Sequence, residues 1–205
     1  MEKRQERRQE RRGPVPAGRA PDATRLREAA LKHLARFAAT ELGLARVLAR
    51  RVDRWARRAE AEGQDSEMIA AAIVQARADI AEIAQKLTAI GVVDDAAFAA
   101  SRARRLNQAG RSQRAIRAHL AARGVAPGTA DSVLEEAPLD ELAAALGQLK
   151  RRRAGPFAAE PPDLAARMKA MGALARAGFS QDIAGRALDM DRDEAEDRLI
   201  AARRG

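Results

Sequence analysis

Gly110-Arg111-Ser112-Gln113-Arg114-Ala115-Ile116-Arg117-Ala118-His119-Leu120 decides the fold of this chain. Ser112 reads as a helix N-cap, where a short hydroxyl side chain accepts a hydrogen bond from a backbone N–H in the first turn. Ile116 and Leu120 fall four residues apart on one helix face, and Arg114 and Arg117 point away from it. The same grammar occurs twice more. Thr40, Ser112 and Ser180 hold equivalent cap positions, spaced 72 and 68 residues apart. Six residues before each stands a leucine (Leu34, Leu106, Leu174), four after stands Leu44, Ile116 or Ala184, and eight after stands Leu48, Leu120 or Leu188. Leu34-Ala35-Arg36 recurs as Leu174-Ala175-Arg176, and Gly110 and Gly178 each precede their serine by two, where the first copy has Ala38.

Working outward, each copy reads as helix, tight turn, helix, turn, third helix. The third helices hold Ile69 and Ile73, Val133 and Leu134, and Ala195 and Leu199. One such unit of small residues buries little core alone, so the pattern predicts stacked units forming an elongated, curved rod. Other faces agree with an all-α fold of tandem three-helix repeats. Leu26, Ala30, Leu34 and Phe37 share one face, as do Leu44, Leu48, Val52 and Trp55. Ile69, Ile73, Ala76, Ile80, Ile83, Leu87 and Ile90 advance in steps of four and three and mark a long amphipathic helix, and Leu139, Leu142, Leu146 and Leu149 mark another. No segment sustains the two-residue alternation of a strand. Gly91, Gly124 and Gly178 each follow a helical run and precede an apolar residue (Val92, Val125, Phe179), the signature of a left-handed C-cap. Asp94, Ser112, Ser180 and Asp191 mark starts, the last with Glu194 three residues on.

These signals predict five segments: a disordered, basic, Pro/Gly-rich tail over 1–24, a first repeat over 25–92, an Arg-rich second repeat over 93–153, a linker over 154–162, and an acidic third repeat over 163–205.

The 205 residues are 46% hydrophobic and only 2% aromatic, with no Tyr and one Trp, so large rings cannot dominate a core or interface. Without Cys there is no disulfide, thiolate metal site or thiol nucleophile. No stretch approaches the ~20 apolar residues of a membrane span, and Met1 to Arg12 lacks an apolar signal core, so a cytoplasmic protein is expected.

The net charge of +9 is unevenly distributed. No Asp or Glu occurs between Asp95 and Asp131, while Arg102, Arg104, Arg105, Arg111, Arg114, Arg117 and Arg123 all lie there. An acid-free, Arg-rich unit is an electrostatic footprint for phosphates or an acidic groove, and these seven are the candidate partner- or DNA-binding residues. Arg50, Arg51, Arg54, Arg57 and Arg58 form a second basic stretch interrupted by Asp53, and Lys150-Arg151-Arg152-Arg153 a third at a helix C-terminus, where the helix dipole alone favours cations. Asp182, Asp189, Asp191, Asp193, Glu194, Glu196 and Asp197 make the last unit acidic, an asymmetry that suits an oriented partner. Catalytic signals are missing. His33 and His119 lack ligand-spaced partners, Asp94-Asp95 reads as a helix cap, and no Gly-rich phosphate loop is present, so no enzyme activity, metal or cofactor is expected.

The segment Ile90-Gly91-Val92-Val93-Asp94-Asp95-Ala96-Ala97-Phe98-Ala99, followed by Arg105, Gly110-Arg111-Ser112, Ile116, Leu120 and Arg123-Gly124-Val125, resembles the signature of the RecX family. Leu174-Ala175-Arg176-Ala177-Gly178-Phe179-Ser180 is similar to that family's closing stretch, with Ala177 a departure. The resemblance implies tandem three-helix repeats and a regulator of the RecA recombinase. Such a protein lies in the groove of the RecA–single-stranded DNA filament, inhibits or destabilises it, and so modulates recombination, DNA repair and the SOS response. It implies a RecA nucleoprotein filament as partner; single- or double-stranded DNA is a further candidate on the basic charge, and a monomer is expected because an extended repeat rod needs no self-association. Two other readings stay open on the residues: a helix-turn-helix-like DNA-binding module acting without RecA, and a helical scaffold for another protein. The first calls for base-reading amides, of which only Asn107 and Gln113 are near.

Overall fold

A computed structural model describes residues 16–137 and 139–204. Among them the fold is all-α, as the periodicity predicts, with ten α-helices, one 3-10 turn and no strand. The chain divides into two compact units between Asp94 and Asp95.

The first unit holds α1 (Ala23–Leu34), α2 (Glu41–Ala61) and α3 (Ser66–Ala89). Each start is capped by a side chain the sequence supplies. Asp22 accepts from Arg25 N, Thr40 from Gly43 N and Asp65 from Glu67 N and Met68 N. Capping removes orphan N–H groups and contributes about 1 kcal/mol per helix. The core is Leu26, Ala30, Leu44, Leu48, Val52, Ala76, Ile80, Ile83, Leu87 and Val93. Burying each Leu or Ile here contributes roughly 2 kcal/mol. The ends of the expected apolar stripes leave this core: Phe37 is 55% exposed and Ile90 66% exposed. At the C-terminus of α3, Gly91 adopts φ 72° and Val92 N bonds Leu87 O. The apolar contact of that cap comes from Val93, which is buried, and not from Val92, which is exposed.

Part of the expected tail is ordered against this unit. Ala17 N donates to Glu62 Oε1 at 2.6 Å and Trp55 Nε1 donates to Gly18 O at 3.3 Å. Ala17 and Ala20 pack on a small cluster of Trp55, Ala56, Ala59 and Ile69. The reason is tertiary: two small side chains fit over a Trp whose indole N–H needs an acceptor. The charged run over 1–15 lies outside the described residues.

In the second unit, α4 (Asp95–Gln108), α5 (Gln113–Ala122) and α6 (Pro127–Glu136) close around Ala99, Ala103, Ile116, Leu120, Val125, Val133 and Leu134. Then come α7 (Glu141–Arg152), a 3-10 turn (Gly155–Phe157), α8 (Leu164–Arg176), α9 (Gln181–Asp189) and α10 (Arg192–Arg204). Their core includes Leu142, Leu146, Leu149, Phe157, Leu174, Phe179 and Leu188. Two features differ from the expected segmentation. Leu142, Leu146 and Leu149 of α7 join the core of α8–α10, Leu139 just before α7 packs against that of α4–α6, and within the expected linker Gly155 and Phe157 are buried in the former.

The repeated caps are structural. Leu44, Ile116 and Ala184, four residues past the caps, are at most 1% exposed. The first helices of the copies end differently, though. The second and third copies end at Gln108 and Arg176, close to Gly110 (φ 76°) and Gly178 (φ 91°). The first copy, with Ala38 in that place, stops at Leu34.

Candidate functional site

The three-helix group α4–α6 carries all seven arginines of the sequence footprint. Arg102, Arg104 and Arg105 lie on α4, Arg111 in the turn, Arg114 and Arg117 on α5, and Arg123 at its C-cap. Ser112 fixes this geometry from below. Its Oγ accepts from Ala115 N at 3.2 Å, capping α5, and donates to Ala177 O at 2.7 Å, fastening α5 to the end of α8. The fit at the fastening is tight: a Cβ on Gly178 would stand 2.7 Å from Ser112 Oγ and 3.4 Å from Arg114 Cβ. Glu141 Oε1 accepts from Gln113 N, and Asn107 Nδ2 donates to Asp140 O, so both ends of the Arg-bearing turn are pinned.

The structure brings together three of the arginines around one imidazole. Arg102 Nε donates to His119 Nε2 at 3.0 Å. Burial, and then the guanidiniums of Arg102, Arg123 and Arg111, hold the His119 pKa below the ordinary imidazole value. A His accepting from Arg is neutral by geometry as well as by electrostatics. His119, which lacks ligand-spaced partners in the sequence, therefore orients Arg102 and adds no charge of its own.

Arg117 does not stand free. Its Nε lies 2.8 Å from Asp131 Oδ1, a carboxylate supplied by α6 from just beyond the acid-free window, and Gln113 Oε1 accepts from its Nη1. By contrast, Arg104, Arg105, Arg111 and Arg114 are exposed, and among the described residues no carboxylate lies within ion-pair distance of them.

Two basic residues outside the predicted set, Lys150 and Arg151, join this region. The Arg151 guanidinium covers Gly110, where an added Cβ would stand 2.6 Å from Nη2, and Gln148 Nε2 donates to Gly110 O. Lys150 and Arg151 line a cleft of about 220 Å³ with Asn107, Gln108 and Gly147. The signal for it was the Lys150–Arg153 run, which the helix dipole alone seemed to explain.

Such an arrangement can attract and orient a polyanion. Among the described residues no group of three His, Asp or Glu is placed to hold a metal, and no helix is long and apolar enough to cross a membrane.

A family profile described as "RecX, second three-helix domain" matches residues 94–134, which are α4 to α6. The Regulatory protein RecX of Myxococcus xanthus is 36% identical over 172 residues, covering 81% of this chain and 85% of that protein. The Regulatory protein RecX of Agrobacterium fabrum is 35% identical over 113 residues, covering 55% of this chain and 60% of that protein. A crystal structure of RecX from Lactobacillus salivarius superposes with a TM-score of 0.57 at 18% identity, covering 82% of this chain and 96% of that one. A second crystal structure of regulatory protein RecX gives 0.54 at 20% identity, covering 82% and 72%. The two structures agree with the helical fold, and the relative from Myxococcus decides the kinship: this chain belongs to the RecX family of regulatory proteins.

Proposed function

We propose that this chain regulates a RecA-type recombinase by binding the RecA–single-stranded DNA filament, with the arginine face of α4–α6 as its principal contact. The observation that supports this reading is the set of exposed guanidiniums at Arg104, Arg105, Arg111 and Arg114, which lack carboxylate neighbours in the segment matching the family profile. A filament offers both the phosphates of its strand and acidic protein surface, and exposed arginines serve either through bidentate hydrogen bonds. A tandem-repeat protein meets repeating protomers with several modest contacts at once, which multiplies its avidity. Binding of this kind limits filament growth or promotes disassembly, and so lowers recombination, repair and SOS signalling in the cytoplasm. The protein acts by occupancy and not by catalysis.

The test is RecA ATP hydrolysis on single-stranded DNA with sub-stoichiometric amounts of this protein. Inhibition well below one copy per RecA supports filament binding, and charge reversal at Arg111 and Arg114 should remove it with helicity intact. No inhibition even in excess would overturn the reading. Site-specific duplex binding without RecA would favour a DNA-binding module instead.

A further inference from the structure

A second basic site sits in the first unit, far along the sequence from the arginines considered above. Arg51, Arg54 and Arg58 lie on α2 at spacings of three and four, so they share one helix face beside the core residue Trp55. The first turn of α1 adds Arg25, and the segment before α1 adds Arg19. Its backbone is pinned by the Ala17–Glu62 and Trp55–Gly18 hydrogen bonds, and Arg25 Nη1 donates to Arg19 O. The result is a notch of about 190 Å³ lined by Arg19, Arg25, Arg51, Arg54, Arg58 and Trp55, with Pro21 completing the wall.

No carboxylate lines this notch. Asp22, exposed, approaches Arg25 Nε at 3.9 Å, and it is the only acidic group in ion-pair range of the five among the described residues. Five like charges around one depression repel one another, and a bound anion relieves that repulsion. The ordering of 16–22 is what assembles the site, since it carries Arg19 over the helix face that already holds three arginines.

We propose that this notch binds the phosphodiester backbone of a nucleic acid. Its extent favours a backbone over a single phosphate. From Arg51 to Arg58 the helix advances about 10 Å, the rise of roughly three phosphates along one strand. Trp55 is 7% exposed and its N–H is used internally, so no indole face is offered to a base. The site therefore reads charge and not sequence. It is independent of any contact with RecA, and its test needs none.

Trp55 is the only Trp in the chain, which gives the site its own reporter. Full-length protein is titrated with oligothymidylate while Trp55 emission and the anisotropy of labelled oligonucleotide are followed. Expected is a salt-dependent change in Trp55 emission, with an affinity weakened at least about tenfold in Arg54→Ala/Arg58→Ala and a slope of log K against log salt reduced by about 0.7 per arginine lost. Arg54→Lys/Arg58→Lys, which keeps charge and packing, should retain most of the affinity. Arg167→Ala/Arg186→Ala, which removes cations already paired with Asp189 and Asp182, should leave the Trp55 response within about twofold of wild type. The proposal is overturned by any of three results. One is an unchanged Trp55 signal under saturating oligonucleotide. Another is an alanine pair with wild-type helicity and wild-type affinity. The last is an equal response to pyrophosphate at the same phosphate concentration, which would assign the notch to a small phosphate compound.

Discussion

The groups α4–α6 and α7–α10 are built from the same repeat, and both are rich in arginine, yet their charges do opposite things. In α7–α10 and its borders five cations find carboxylates: Arg167 with Asp189, Arg186 with Asp182, Arg192 and Lys150 with Glu196, and Arg198 with Asp140. In α4–α6 Arg117 pairs with Asp131, while among the described residues no carboxylate stands within ion-pair distance of Arg104, Arg105, Arg111 or Arg114. The exposed pairs of the last group contribute at most about 1 kcal/mol each. Their effect is to neutralise that surface. What separates a binding face from a solvated one is whether an acid stands within reach of each guanidinium, and the count of arginines does not reveal it.

The junction of the two groups should show the largest effect. Gly178→Ala forces a Cβ into a φ of 91° and to 2.7 Å from Ser112 Oγ, whereas Gly91→Ala meets a φ of 72° with open space around it. Thermal or denaturant unfolding should show the first destabilised by about 3 kcal/mol and the second by about 1. Equal losses would mean that the Ser112 fastening is slack. Next is Ser112→Ala, which removes a cap and orphans Ala177 O, at about 2 kcal/mol, against about 1 for Ser180→Ala, an exposed cap.

Charge reversal then separates the two faces directly. Arg111→Glu/Arg114→Glu should weaken filament inhibition about tenfold, a loss of about 1.4 kcal/mol. Arg167→Glu/Arg186→Glu, already paired, should change it less than about twofold, because a neutralised surface attracts little. A smaller effect of opposite sign comes from Asp131→Asn. It releases Arg117 and should raise affinity for filament or polyanion severalfold at most. No gain would show that Arg117 faces away from the partner.

The smallest effect concerns pH. His119 titrates below its ordinary value of 6.5 in the folded chain, so the unfolded chain binds more protons between that lowered value and 6.5. Stability is therefore highest above 6.5 and declines as pH falls through that window. His119→Gln, which keeps an acceptor for Arg102, should flatten the decline measured by denaturant midpoints. A polyanion that neutralises Arg102, Arg111 and Arg123 removes part of the repulsion that depresses His119, so its binding should take up a fraction of a proton below pH 6.5, readable by calorimetry in two buffers.

Most of the fold was legible because its signals are local. A hydroxyl at Thr40, Ser112 or Ser180 and an apolar residue four and eight positions later specify a helix with a buried face, and Gly91, Gly124 and Gly178 stop helices within the same few residues. The relations that distinguish the site were not legible, because they join distant positions. Ser112 reaches Ala177 across 65 residues, Asp131 reaches Arg117 across 14, and Trp55 holds Gly18 across 37. The reading of 1–24 as a tail failed from residue 16 for the same reason: a Pro/Gly-rich segment has no periodicity to announce that two of its alanines cover a Trp. Likewise the apolar stripe of α7 states that a face is buried, and says nothing of which neighbours bury it.

The Ser112–Gly178 fastening also governs how the copies can drift apart by mutation. A hydroxyl at 112 leaves no volume for a side chain at 178, and the turn around 178 supplies the acceptor that makes that hydroxyl worth burying. The two positions must change together or not at all. Ser180, equivalent in the repeat but exposed, carries no such bond and can exchange with Thr, Asn or Asp at little cost. Among relatives that keep this packing, 112 and 178 should covary as a pair while 180 wanders.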